Sequence, residues 1–173
     1  MASPFGSNSP IYCIIGNTTM KKLKLQTSDD VVLVDNDDYE KVKNYKWYKA
    51  VRGDIVMWQS GHIIKLHRVI LGLSKTDPRV DHKNRNPLDN RKENLRLCNA
   101  RQNSANSLMS KTNTSGYKGV SWSKDHRKWV ARIRDNGIYK CLGYFEHPLD
   151  AAKAYDKRAK EVYGEFYHST INE

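Results

Sequence analysis

The chain has 173 residues, with 30 Lys and Arg against 19 Asp and Glu and a formal net charge of +11. That length allows one domain or two small ones, each with a modest core, and so positive a balance favours a polyanionic partner. Three widely spaced cysteines (Cys13, Cys98 and Cys141) form no Cys-x-x-Cys pair, so no structural zinc is expected, and the sparse count suits a reducing cytoplasm.

The charge is uneven along the chain. Residues 1–60 hold eight Lys/Arg against seven Asp/Glu, 61–110 ten against four, and 111–173 twelve against eight. The basic excess therefore falls on the central and C-terminal stretches, where a polyanion would be met. Near the start, the apolar run Ile11 to Ile15 is too short to span a bilayer and has no basic flank before it. Neither a membrane span nor a signal peptide is expected, and residues 1–20 read as poorly ordered.

From Leu23 to Leu73 the pattern is mixed. Val31 to Val34 reads as an apolar strand. Asp35 to Asp38 supplies an N-cap cluster with acidic first-turn residues, and Tyr39, Val42 and Tyr45 follow at helical spacing. Lys46 to Val51 and Ile55 to Trp58 predict a hairpin around Arg52-Gly53-Asp54. Ile63 to Leu66 predicts a further strand, and Val69 to Leu73 a short helix ending near Gly72. Trp47, Tyr48 and Trp58 are expected in the core, because strands this short need large side chains to bury enough area. His67 reads as a structural or phosphate-contacting residue, not a metal ligand.

Val80 with Asp81-His82 then reads as the end of a strand. A loop rich in Asn, Asp and Pro follows, in which side-chain to backbone bonds replace a ladder; Asn86 and Asn90 are read as loop-formers. Leu95 to Cys98 alternates as a half-buried strand does. Asn99 with Gln102 three residues on makes a capping-box pattern, opening a helix that carries Asn103. Strand, loop, strand and helix with polar residues at these places form a compact metal-site scaffold.

This arrangement resembles the HNH nucleases, whose ββα-metal fold places a His on the first strand, an Asn in the middle and a His or Asn on the helix. The matching residues are Asp81-His82, Asn94 and Asn103, and the run DNRKENLR at Asp89 to Arg96 is typical of the phage and intron-encoded homing branch. Phosphodiester hydrolysis needs a deprotonated water, a cation on the scissile phosphate and stabilisation of the leaving oxygen. His82 is the candidate base. Asp81 and Asn103 offer hard oxygen ligands suited to Mg²⁺ or Mn²⁺. The resemblance implies that Asn94 holds the loop and orients His82. Lys83, Arg85, Arg91, Arg96 and Arg101 are the basic candidates for DNA contact in this stretch.

Ser104 to Ser115 shifts to small polar residues, read as the end of the helix and then a linker over 110–115. Tyr117 to Trp122 begins a new set of strands. Trp129, Ala131 and Ile133 alternate with Val130, Arg132 and Arg134. Asn136-Gly137 is a two-residue hairpin signal, and Ile138 to Tyr144 makes the third strand. Pro148 suits a first helical turn. Ala152, Tyr155, Ala159 and Val162 share a helical face that ends before Gly164. The pieces YKGVSW, KWVARIR, LGYF and AAKAYDKRA resemble the Apetala-two/ethylene-response-factor DNA-binding domain, a three-stranded antiparallel sheet packed on one helix. Carried onto matching positions, its DNA contacts fall on Lys118, Ser121, Ser123, Arg132, Arg134 and Tyr139. Plant members carry arginines at Ser121 and Ser123 and a tryptophan at Cys141, so their sequence preference does not transfer. Trp122 and Trp129 are assigned to the core.

The expected fold is therefore α+β: a nuclease domain over 21–109 with mixed N-terminal strands and a ββα-metal core, a linker over 110–115, and a separate sheet-and-helix DNA-binding domain over 116–173. The expected activity is metal-dependent DNA endonuclease action, with one Asp-His element and no evident dimer seam suggesting a monomer that nicks one strand of double-stranded DNA. The resemblance places such a protein in the cytoplasm of a bacterial host, encoded by a phage or mobile element. The competing reading is a DNA-binding regulator whose HNH-like unit is only structural.

Overall fold

The computed structural model describes residues 20–110 and 112–171. The expected poorly ordered segment, its apolar run Ile11 to Ile15 and Cys13 lie outside the described residues; Met20 already belongs to a strand. The architecture is mixed α and β, with several small antiparallel sheets and four α-helices among the described residues. Contacts divide the chain into two compact units, Met1–Leu97 and Cys98–Glu173.

In the first unit, β1 (Met20–Lys24) pairs antiparallel with β2 (Val31–Asp35), and α1 (Asn36–Val42) follows directly. β3 (Tyr48–Lys49), β4 (Ile55–Gln59) and β5 (His62–Lys65) form an antiparallel sheet in that order. α2 (Leu66–Ile70) leads to β6 (Arg79–His82), which pairs with β7 (Leu95–Cys98). Val32, Val34, Val42, Trp47 and Leu66 are completely buried and form the core with Ile55, Met57 and Leu95. Trp47 also donates Nε1–H to the Val42 carbonyl at 2.9 Å, closing the end of α1.

Three expectations are corrected here. Trp58 is not core: it is 66% exposed and pairs across the hairpin with Ile63, which is also exposed. The buried part of β4 stops at Met57, so the hairpin carries Trp58 beyond the packed region. α2 starts at Leu66, three residues before the expected helix, because Leu66 and Ile70 at i, i+4 bury one helical face; Gly72 at φ +66° ends that segment as anticipated. Asp35 sits at the N-cap of α1 but makes no side-chain cap bond there. Its carboxylate accepts the Lys92 backbone N–H at 2.8 Å instead.

That last contact belongs to a clamp on the loop between β6 and β7. Leu33 N–H donates to the Leu88 carbonyl and Asn90 N–H to the Leu33 carbonyl, both at 2.8 Å, making a parallel bridge between Leu33 and Asp89. Lys92 Nζ lies 2.9 Å from the fully buried Asp38. A polar loop is thereby fixed to the core strand β2, although its sequence has almost no apolar content.

In the second unit, α3 (Ala100–Asn106) precedes β8 (Val120–Ser123), β9 (Lys128–Asp135) and β10 (Ile138–Phe145), a three-stranded antiparallel sheet with β9 central. Asn136 and Gly137 both adopt positive φ, +48° and +83°, as a type I′ hairpin turn requires. α4 (Pro148–Tyr163) packs on the sheet through Ala151, Ala152 and Ala159, so the helix and three strands take the expected arrangement. The approach is close. A Cβ on Gly119, at φ +68°, would stand 2.1 Å from the Tyr155 ring. Trp122 departs from expectation, at 48% exposed; it meets the half-buried Trp129 edge-on across the strands, at 5.3 Å between centroids, and one ring covers the other. Val130 is fully buried although its neighbours Arg132 and Arg134 on the same strand face are exposed.

Candidate active site

The loop closing β6 to β7 is built from asparagines. Asn94, 6% exposed, accepts the Asn84 N–H on Oδ1 at 2.9 Å and donates Nδ2–H to the Asp89 carbonyl at 2.7 Å and Asn84 Oδ1 at 2.9 Å. Asn84 Nδ2 reaches Asp89 Oδ2 at 2.9 Å, and Asn86 Oδ1 accepts the Leu88 N–H at 3.0 Å. Each side-chain amide pairs donors and acceptors that a loop backbone leaves over. Asn94 thus ties Asn84 and Asp89 together within the loop.

His82 stands at the end of β6. Its Nε2 is 3.3 Å from Oδ1 of Asn90, a residue the sequence marks only as a loop-former. Asn90 is itself held by Nδ2–H donation to the Pro87 carbonyl at 2.8 Å and is 1% exposed. Since Nδ2 is the donor, Oδ1 faces His82 as acceptor, and the network assigns the proton of the neutral imidazole to Nε2. Burial lowers the His82 pKa below its ordinary value, against the opposing effects of the Asn90 bond and the Asp81 charge. A second histidine, His67 of α2, lies edge-on to His82 with ring centroids 5.5 Å apart. Sequence periodicity does not join these two, because they lie on different elements, α2 and β6.

Asp81, 6% exposed, receives Arg96 Nε and Nη2 on Oδ2 at 2.9 and 2.8 Å. Several cations expected at DNA are engaged inside the protein. Arg96 holds Asp81, Arg91 makes a two-pronged pair with Asp89 at 2.8 Å, and Arg101 bonds Asp135 and Asn136 at 2.9 and 2.8 Å. The Lys118 ammonium donates to the Ala105 and His168 carbonyls at 3.0 and 3.4 Å. Lys83 is exposed and Arg85 half-buried. The outer face of the C-terminal sheet exposes Ser121, Arg132, Arg134 and Tyr139, with the Arg134 guanidinium 5.6 Å from the Tyr139 ring centre. Ser123 Oγ is 3.2 Å from His126 Nδ1.

Asn103 is half-buried on α3 in the second unit. The helix is opened by the expected capping box: Gln102 N–H to Asn99 Oδ1 at 2.9 Å and Asn99 N–H to Gln102 Oε1 at 2.8 Å. Among the described residues no group of three or more His, Cys, Asp or Glu side chains comes together as a metal cage would require. The donor chemistry of Asp81 still fits a hard divalent cation of the Mg²⁺ kind, which is commonly held by one or two carboxylates and completed by water and phosphate oxygens.

A family model described as HNH endonuclease matches residues 76–105, the stretch holding Asp81, His82, Asn94 and Asn103. The chain is 32% identical over 165 residues to an uncharacterised HNH endonuclease of Acanthamoeba polyphaga mimivirus, covering 92% of this chain and 85% of that protein. It is 36% identical over 96 residues to protein 3.8 of Escherichia phage T7, covering 55% of this chain and 72% of that one. No solved structure matches the chain.

Proposed function

Because this chain belongs to the HNH endonuclease family and is thus a nuclease, we propose that it hydrolyses one strand of double-stranded DNA with His82 as general base. The His82–Asn90 contact carries the assignment. With the proton on Nε2, the lone pair of the neutral imidazole is on Nδ1, the atom that takes the proton from the attacking water. Burial favours that neutral form at neutral pH. Attack on the phosphorus with departure of the 3′-oxygen leaves 5′-phosphate and 3′-hydroxyl ends.

HNH nucleases use a divalent metal ion. In this chain Asp81 would hold it, with Asn103 the second ligand proposed from the motif, and Mg²⁺ is the ion proposed, with Mn²⁺ as substitute. Bound there, such an ion would neutralise charge on the phosphate and the leaving oxygen. Asn94 supports the reaction by holding the loop that carries Asn90.

The second part of the reading concerns docking. Ser121, Arg132, Arg134 and Tyr139 on the outer sheet face, with Ser123 and Lys118 from the same motif, are proposed to lie against duplex DNA in the manner of the Apetala-two/ethylene-response-factor fold. Lys83 and Arg85 would meet phosphates beside the scissile bond, as would Arg91, Arg96 and Arg101 where their internal partners permit. The proposed modules remain 21–109 and 116–173. α3 carries Asn103 of the motif, and its Arg101 is anchored to Asp135. The protein is proposed to act as a monomer, in the cytoplasm of an infected bacterial host.

Supercoiled plasmid containing the target, incubated with Mg²⁺, should pass to open circle with linear product late, and EDTA should stop it. His82→Ala should lose about a hundred-fold to ten-thousand-fold in rate while retaining DNA affinity. Wild-type activity in that variant would sink the base assignment, and linear product at the earliest times would sink the nickase.

A further inference from the structure

The residue beside the proposed base is itself a buried histidine. His67 follows Leu66 in α2, and Leu66 and Ile70 are both anchored in the core of the first unit. The helix is therefore fixed in rotation, and with it the direction of the intervening side chain. That side chain is 5% exposed as a residue, and its ring stands at 79° to the ring of His82. Edge-to-face packing of flat rings at this separation is directional, unlike aliphatic contact. The His67 ring is buried beside His82. Burial pushes its pKa down to about 4, with the nearby His82 and Lys65 acting in the same direction, so the ring is uncharged at neutral pH. A buried, neutral ring packed edge-on against its neighbour acts on it through shape.

We propose that His67 is a positioning residue for the nuclease reaction: its ring, held by α2, and the Asn90 amide together confine the His82 imidazole to one orientation. This rests on the reading of His82 as the base. The Asn90 contact selects the Nε2–H tautomer while the imidazole stays in line with it. The wall supplied by His67 keeps the ring in that line, so that Nδ1 stays aimed at one place. Misplacing a catalytic group by about 1 Å can cost about a hundred-fold in rate, and a ring free to swing exceeds that displacement.

The test uses the full chain with His67→Phe, which keeps a flat ring, and His67→Leu, which fills similar volume without one; His67→Met replaces the Leu variant should branching prevent folding. Thermal melts establish that each variant is folded. Plasmid nicking then gives kcat and KM separately, and ¹⁵N-edited histidine spectra report the His82 tautomer independently of activity. The Leu variant should lose about a hundred-fold in kcat with KM unchanged, while the Phe variant recovers to within about three-fold of wild type. His82 should show the Nε2–H tautomer alone in wild type and Phe, and a mixture in Leu. Wild-type kcat in the Leu variant would overturn the proposal, as would a folded Phe variant as slow as Leu. Should His82→Ala prove fully active, the base reading fails, whereas the spectra still decide whether His67 orders the His82 ring.

Discussion

Asp81 and Arg96 face each other across the β6–β7 pair, with one carboxylate oxygen within 2.9 Å of two guanidinium nitrogens and both side chains nearly excluded from solvent. The residue proposed to bind a metal is thereby already neutralised by a cation of its own sheet. Breaking a buried pair by removing one partner typically costs about 3–5 kcal/mol, because the other charge is left unsolvated. Arg96→Met should therefore destabilise the metal-free protein strongly, and a divalent cation at Asp81 should then restore more than it adds to wild type. The expected result is a larger Mg²⁺-induced rise in Tm for Arg96→Met than for wild type, lost again when Asp81→Asn is added. Equal shifts in both backgrounds would place the metal away from Asp81.

The rate should depend on the protonation of His82 in a defined direction. Burial holds its pKa below the ordinary 6.5, so the free protein should already carry the neutral base at neutral pH. kcat/KM, which reports the free enzyme, should rise with pH on an acid limb whose midpoint lies under 6.5, and be level above it. A midpoint above neutrality would contradict the neutral His82 described here.

His67 makes the first unit sensitive to acid. Its folded pKa of about 4 lies below the 6.5 of an ordinary histidine, so the unfolded chain binds the proton more readily than the folded one. Stability is complete above pH 6.5 and falls as pH drops from 6.5 toward 4, by roughly 3 kcal/mol at the lower end. Urea melts of wild type and His67→Phe over that range should diverge on the acid side, the Phe variant losing less. Parallel curves would show that His67 is solvated and not buried.

Docking by the outer sheet face has a signature in salt. Arg132 and Arg134 are exposed on β9. If both meet phosphates, Arg132→Ala with Arg134→Ala should weaken binding and flatten the plot of log affinity against log salt by about 0.9 for each contact. Unchanged affinity and slope in filter-binding or anisotropy titrations would show this face turned away from DNA.

Much of the organisation was legible in the sequence because it is carried by local rules. The capping box at Asn99 and Gln102, the Asn136-Gly137 turn, and the start and end of α4 at Pro148 and Gly164 depend on residues within four positions of one another, and all appear where predicted. The stretch from Asp81 to Asn103 was legible as a family signature for the same reason, and the family match covers it. The tertiary structure decided what each of those groups touches. Trp58 and Trp122 have the size and apolarity of core residues, but whether a strand end is covered depends on elements elsewhere in the chain. Arg96, Arg91 and Arg101 read as cations for DNA, and only folding showed the carboxylates already beside them. Asn90 and His67 meet His82 from eight and fifteen residues away, through a loop clamped to β2 and a helix pinned by Leu66. Sequence periodicity describes one element at a time, whereas a catalytic side chain is oriented by contacts between elements, and those exist only once the core has closed.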